Sequence, residues 1–286
     1  MKRQYIAMNK TTATCRILVA IVSVTAAVTA MAAQPLTREQ FSGVWEIEKP
    51  VFAVRTVSGK LPPLLPEAAR IYQQHVAARR RGDTSFDSAT WCAAAGLPRL
   101  MLMPYPFQIA VQPKYVVFLH EWNWWAHVVY LEGAMARRFA KAQSANFEVP
   151  PAPLPAIGLA NGAKPGAAPP APSMDAGDDV FQPSAMGFST GRWEGNVLIV
   201  DTSHFIDSTV IDGAGLPHSD RMKVTEHLRL TGADELEDLI RIEDPGVYKE
   251  PWETRVLYRR GVDRKIREDV CLDRIANGQP AVRSVP

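Results

Sequence analysis

The feature that most limits what this chain can become is the run Met222-Lys-Val-Thr-Glu-His-Leu-Arg-Leu230, which alternates in the manner of a strand with one face buried. Thr231-Gly-Ala-Asp234 supplies a turn, and Leu236 to Glu243 continues as the partner strand, although its acidic content also permits a helical turn. Glu253 to Tyr258 reads as one more strand, and Val197-Leu-Ile-Val-Asp-Thr202 as a buried strand after a turn-rich entry at Gly191-Arg-Trp-Glu-Gly-Asn196. Upstream, Phe41 to Glu48 alternates in the same way. Gln108 to Leu131 is rich in β-branched and aromatic residues and reads as two or three strands with a turn at Gln112-Pro113-Lys114. About eight to ten short strands without regular helices between them predict a mostly β chain, a single antiparallel barrel or a sandwich.

One helix is expected, over residues 66–80, with Pro66 suited to its first turn and Gly82 to its end. His75 lies inside it and reads as a packing or surface residue. Trp122, Trp124 and Trp125 crowd a hairpin tip, either as a cap on one end of the core or as the aromatic lip of a ligand cavity. His120 and His127 flank that tip; they could face one another across it, but read first as simply polar hairpin residues.

Lys2, Arg3, Lys10 and Arg16 precede an uncharged apolar run from Ile17 to Val28, which ends at Ala30-Met31-Ala32. That order predicts a cleaved secretory signal over residues 1–32 and a mature domain over 33–286, periplasmic or secreted. The alternative, an uncleaved anchor, needs about 20 apolar residues, more than this run has. The signal carries four of the 32 basic residues and none of the 30 acidic ones, so the mature chain holds 28 against 30, a formal charge of −2. No basic surface for nucleic acid follows from that balance, and no stable membrane insertion is expected after cleavage. Residues 150–179 shift to Pro, Ala and Gly and read as a disordered insertion within one domain rather than a linker between two.

After cleavage two cysteines remain, Cys92 and Cys271. In an oxidising compartment the pair reads as a disulfide, and in its absence as two buried thiols.

Four blocks carry a resemblance: Cys92-Ala-Ala-Ala-Gly-Leu-Pro-Arg99 through Pro104-Tyr-Pro, Gly191 to Thr202, Pro217-His-Ser-Asp220 with Glu226, and Glu243-Asp-Pro245 with Pro251-Trp252. Together they resemble a widespread group of secreted bacterial proteins without an assigned function, whose members look like lipocalin-type barrels. Gly43-Val-Trp45 is similar to the Gly-x-Trp opening of lipocalin-like barrels. The group's Asp-Gly-Arg-x-His-Pro block reads Glu132-Gly-Ala-Met-Ala-Arg-Arg138 here and lacks the histidine.

Chemistry concentrates at Pro217-His218-Ser219-Asp220, where an imidazole beside carboxylates is the material of general acid–base catalysis, with Glu226 a further acid. The alternatives there are a metal site, without the usual ligand motifs to support it, and a turn in which Ser219 and Asp220 bond backbone amides. Asp201, Glu226 and Asp244 are the acids available for a paired-carboxylate site. Trp45, Trp122, Trp124, Tyr130, Arg192, Trp193 and Trp252 are the candidate ligand-binding residues; Arg192, Trp193 and Trp252 could clamp a planar polar ligand, and equally Trp193 and Trp252 could plug a barrel end. Three functions remain open: an exported protein binding a small apolar or aromatic molecule in a barrel cavity, an extracytoplasmic lyase, isomerase or hydrolase using His218, and a structural envelope protein. None calls for a cofactor.

Overall fold

The structure, a computed structural model, describes residues 36–131 and 182–283. The expected signal segment and the Pro/Ala-rich insertion lie outside the described residues. Nine strands form a closed barrel in chain order. They are β1 Gly43–Ile47, β2 Phe107–Val111, β3 Tyr115–His120, β4 Ala126–Tyr130, β5 Phe188–Glu194, β6 Val197–Ser203, β7 Lys223–Gly232, β8 Glu235–Glu243 and β9 Trp252–Arg260. Among the described residues the α-helices are α1 Pro66–Arg80 and α2 Cys271–Ala276.

A closed ring with an odd number of strands cannot be antiparallel throughout, because the direction must return to itself after one circuit. The exception falls between β4 and β5, which pair in parallel through Val129 with Ser189 and Tyr130 with Thr190. The ring closes antiparallel, with Trp45 opposite Arg260 and Ile47 opposite Tyr258. Closure leaves no sheet edge and turns one parity of every strand inward. Trp45, Phe107, Phe118 and Tyr258 are each at most 1 % exposed there. Burying side chains of this size contributes roughly 1.5–3 kcal/mol apiece.

Two expected boundaries differ. Phe41 belongs to a 3-10 turn, Arg38–Phe41, rather than to the first strand. Gln40 accepts from the Thr37 amide at 2.7 Å, and the Trp45 indole donates to the Phe41 carbonyl at 2.8 Å. Gly191, Arg192 and Trp193 lie within β5 rather than in a turn, because β5 pairs with β6 from Phe188 to Glu194. Gly191 is required there: a Cβ would stand 2.6 Å from Val129 Cγ1 on the neighbouring strand.

α1 buries Ala68, Tyr72, His75 and Ala78, a stripe at helical spacing. His75 stacks on Phe86 at 4.4 Å, and its Nδ1 lies 2.7 Å from the Gly215 carbonyl, so it is a packing residue. Fully buried Asp212 accepts from the amides of Val54, Ala214 and Leu216 and so ties two long loops together.

Segment 99–105 and the C-terminal strap lie over the Tyr258 end of the barrel. Tyr258 donates to the Met101 carbonyl at 3.2 Å, and the Tyr105 ring lies under the Arg274 and Arg283 guanidiniums. A Cys92–Cys271 disulfide ties the turn after Trp91, upstream of the first segment, to the strap, with Cα atoms 5.5 Å apart. Trp122 is fully buried and donates to the Ala281 carbonyl at 3.1 Å. Among the described residues no helix is long and apolar enough to cross a membrane.

Candidate functional site in the barrel interior

Inward positions of a small barrel are ordinarily apolar, so the polar ones stand out. On β7 the inward parity runs Val224, Glu226, Leu228; on β8 it runs Leu236, Asp238, Ile240. Glu226 pairs with Ile240 and Asp238 with Leu228, which sets the two acids on one face, diagonally across neighbouring strands. Such diagonals separate Cβ atoms by about 7–8 Å or somewhat less, within reach for one long and one short carboxyl.

Glu226 is 2 % exposed and Asp238 is 0 % exposed, and neither forms an ion pair among the described residues. No N–H or hydroxyl donates to either Asp238 oxygen. What Asp238 meets is the Glu226 carboxyl, and two carboxyls bond only when one of them holds a proton. Burial pushes Glu226 up to about 7, against the pull of its bond with Asp238. Burial also raises Asp238 well above the usual carboxylate range, reinforced by the Glu226 charge. Two buried acids set side by side in this way favour states in which at least one of them holds a proton.

Tyr258 lies beside the pair, its phenol pushed well up by burial and by the charges of Asp238 and Glu226. The Phe107 ring sits edge-on to Tyr258 at 5.0 Å and lies 5.4 Å from the His120 ring. His127 stacks on Phe118 at 5.3 Å, and its Nε2 begins a chain through Ser189 Oγ to Thr202 Oγ1, each step 2.7 Å. His120 Nε2 and His127 Nδ1 are buried without hydrogen-bond partners. Burial lowers His120 to about 3, helped by neighbouring His127, and lowers His127 to about 4, so both rings are neutral near pH 7. These histidines are interior groups rather than polar hairpin residues, because the register carries both inward.

The His218, Asp220 and Glu226 set is not assembled by hydrogen bonds. His218 is buried, with Nε2 2.8 Å from Thr209 Oγ1 and Nδ1 3.1 Å from the Ser219 carbonyl. The carbonyl can only accept, so Nδ1 carries the proton and Nε2 takes the Thr209 hydroxyl, which occupies both nitrogens. Burial holds the ring below its usual basicity, despite the Ser219 contact and the fields of Asp244, Asp207 and Asp220. Asp220 is exposed; Asp244, not Asp220, accepts from the Ser219 amide at 2.6 Å and its hydroxyl at 2.7 Å. Glu226 sits inside the barrel with Asp238. Asp201 faces outward to Arg192 and Thr225, so neither Asp201 nor Asp244 pairs with Glu226.

The aromatic candidates divide. Trp45 and Trp252 are buried at inward positions. Trp193 is half-buried, edge-on to Phe41 at 5.1 Å, whereas Arg192 faces outward and binds Glu194 and Asp201. Adjacent strand residues point to opposite faces, so Arg192 and Trp193 do not form one clamp. Tyr130 stacks on Phe188, on the opposite parity to His127 and Val129. Trp122 belongs to the cap and Trp124 is 45 % exposed.

A cleft of about 590 Å³ lies at the C-terminal strap, lined by Asp269, Arg274 and Arg283 among others. Those charges already bind one another, with Arg274 and Arg283 on Asp269 at 3.1 and 2.8 Å, so the interior is the stronger candidate. Among the described residues no group of three or more His, Cys, Asp or Glu side chains is placed to hold a metal.

Asp238 carries no motif that marks it in the sequence, although the Thr231–Asp234 turn places it on the parity of Glu226 once the hairpin register is counted. Compared with models of known protein families and with curated protein sequences, the chain matches none.

Proposed function

We propose that this is an extracytoplasmic binding protein whose barrel interior receives a small, largely apolar or aromatic molecule with its polar group against Glu226 and Asp238. The observation that carries this reading is a buried acid pair on the inward face of β7 and β8, with no cationic partner among the described residues and with Tyr258 diagonal to Asp238. Burying such groups is unfavourable unless something else needs them there. The disulfide and the leader-like N-terminus support export to a periplasmic or external location, and the resemblance to a secreted bacterial group agrees with it. Native mass spectrometry of protein purified from its own envelope, compared with the denatured mass, tests the reading. A co-purifying small molecule lost from Asp238→Asn supports it; a bare polypeptide mass overturns tight binding.

A second reading is favoured by one observation: Glu226 and Asp238 share one inward face of the barrel, where burial raises both acids toward a strength suited to proton transfer near neutrality. On this reading the barrel is an extracytoplasmic enzyme in which the Glu226–Asp238 pair, rather than His218, is the acid–base group. Glu226→Gln would then abolish turnover while sparing substrate affinity.

A further inference from the structure

We infer that the barrel interior selects an organic cation, a primary ammonium on an apolar or aromatic body, which seats against Glu226 and Asp238. This rests on the binding reading above and narrows its ligand class.

The unpartnered atoms of the interior set the recognition chemistry. Neither Asp238 oxygen takes a donor from outside the acid pair, and His120 Nε2 and His127 Nδ1 lack partners on the inward faces of β3 and β4. These rings are 1 % and 3 % exposed and neutral. Asp238 pairs with Val256 and Leu236 with Tyr258, which sets Tyr258 diagonally from Asp238 on the inward face, and Phe107 packs between Tyr258 and His120, so the two groups belong to one interior. An ammonium brings three N–H donors and no acceptor, which matches carboxylate oxygens that want donors. It also brings the positive charge that no described Lys or Arg supplies to the pair. The rings of Phe107 and Tyr258 suit a cation with an apolar body. An anion would meet two acids and no countercharge. A divalent metal would want about six oxygen ligands, and the pair has no such company.

Binding that displaces a proton must tighten as pH rises through the titration of the pair. The groups facing it are few. Tyr258 comes from β9, and β6 offers Val200, which does not titrate; Glu237 of β8 acts only through its field from the opposite face, where it binds Arg229 and Arg255. Release of one full proton corresponds to about tenfold in affinity per pH unit, until the amine itself loses its charge at about pH 10.

The test compares 2-phenylethylamine with 2-phenylethanol, and hexylamine with hexan-1-ol, by thermal shift and titration calorimetry on the disulfide-bonded protein between pH 5.5 and 8.5. The expected result is amine affinity at least about tenfold above the matching alcohol at pH 8.5, falling toward pH 5.5 and lost in Asp238→Asn. Glu226→Gln, read the same way, serves where Asp238→Asn does not fold. Alcohols binding as well as amines would overturn the cation inference and leave the binding reading standing. Amine binding unchanged in both folded variants would place the cation elsewhere and overturn the inference. Binding of neither class at millimolar concentration would overturn both readings.

Discussion

Glu226 and Asp238 lie diagonally across the β7–β8 hairpin, both turned into the barrel, and each is the other's polar neighbour. A pair of acids in this position opposes folding wherever both are ionised, and its effects are measurable without knowing the ligand.

Stability should fall as pH rises across neutrality. A carboxyl that holds its proton more tightly in the folded chain than in the unfolded one binds more protons folded than unfolded. Its contribution is therefore complete below the ordinary carboxyl value of 4.5 and is lost as pH climbs through about 7 for Glu226, and further for Asp238. Urea unfolding between pH 5 and 8.5 should show a decline of a few kcal/mol, because each tenfold gain in proton affinity on folding corresponds to about 1.4 kcal/mol. Asp238→Asn should flatten that limb and raise the midpoint at pH 8. An unchanged slope would rule out a proton held by the pair.

The histidines act with the opposite sign. Folding lowers His120 from 6.5 to about 3 and His127 to about 4, so their contribution is complete above pH 6.5 and is lost as pH falls toward 4. His120→Phe keeps a ring against Phe107 and should extend stability to lower pH, seen as a shallower acid limb in circular dichroism. Together the acids and the histidines place maximum stability at about pH 5 to 6.

Removing the disulfide should loosen the cap before the barrel. Cys92 and Cys271 are 179 residues apart, and closing so long a loop contributes about 5 kcal/mol in the chain-entropy account, often less in practice. In Cys92→Ser/Cys271→Ser, amide exchange should rise first around Asn123, which binds the Cys271 amide through its side chain at 2.7 Å. Equal acceleration in β7 and β8 would show that the bridge holds the whole barrel.

His218→Ala should act on stability alone. It breaks contacts with Thr209 and Ser219 inside a packed loop, a loss of about 1–3 kcal/mol, and should leave ligand affinity unchanged. A large change in affinity or turnover in a folded His218→Ala protein would return that loop to the functional site.

Much of the barrel was legible because its causes are local. Alternation in Met222–Leu230, the turn at Thr231–Asp234 and the β-rich stretch 108–131 each depend on neighbours a few residues away. So does α1, whose 66–80 range follows from Pro66 and the stop at Gly82. Cys92 and Cys271 were readable as a pair by simple counting.

The candidate site was less legible because it depends on register and closure. Glu226 was visible as an acid on a strand, but only pairing with β8 shows that Asp238 is its partner and that His218 and Asp220 are not. His120 and His127 were visible as hairpin histidines, and only closure of β3 and β4 into the ring makes them interior and neutral. Arg192 and Trp193 looked like joint ligand contacts until β5 placed them on opposite faces. By itself, then, the sequence determined periodicity, the turns, the helix and the cysteine pair, all governed by short-range geometry. The tertiary structure alone decided which polar groups lose water together, because desolvation depends on what the closed barrel brings around each group.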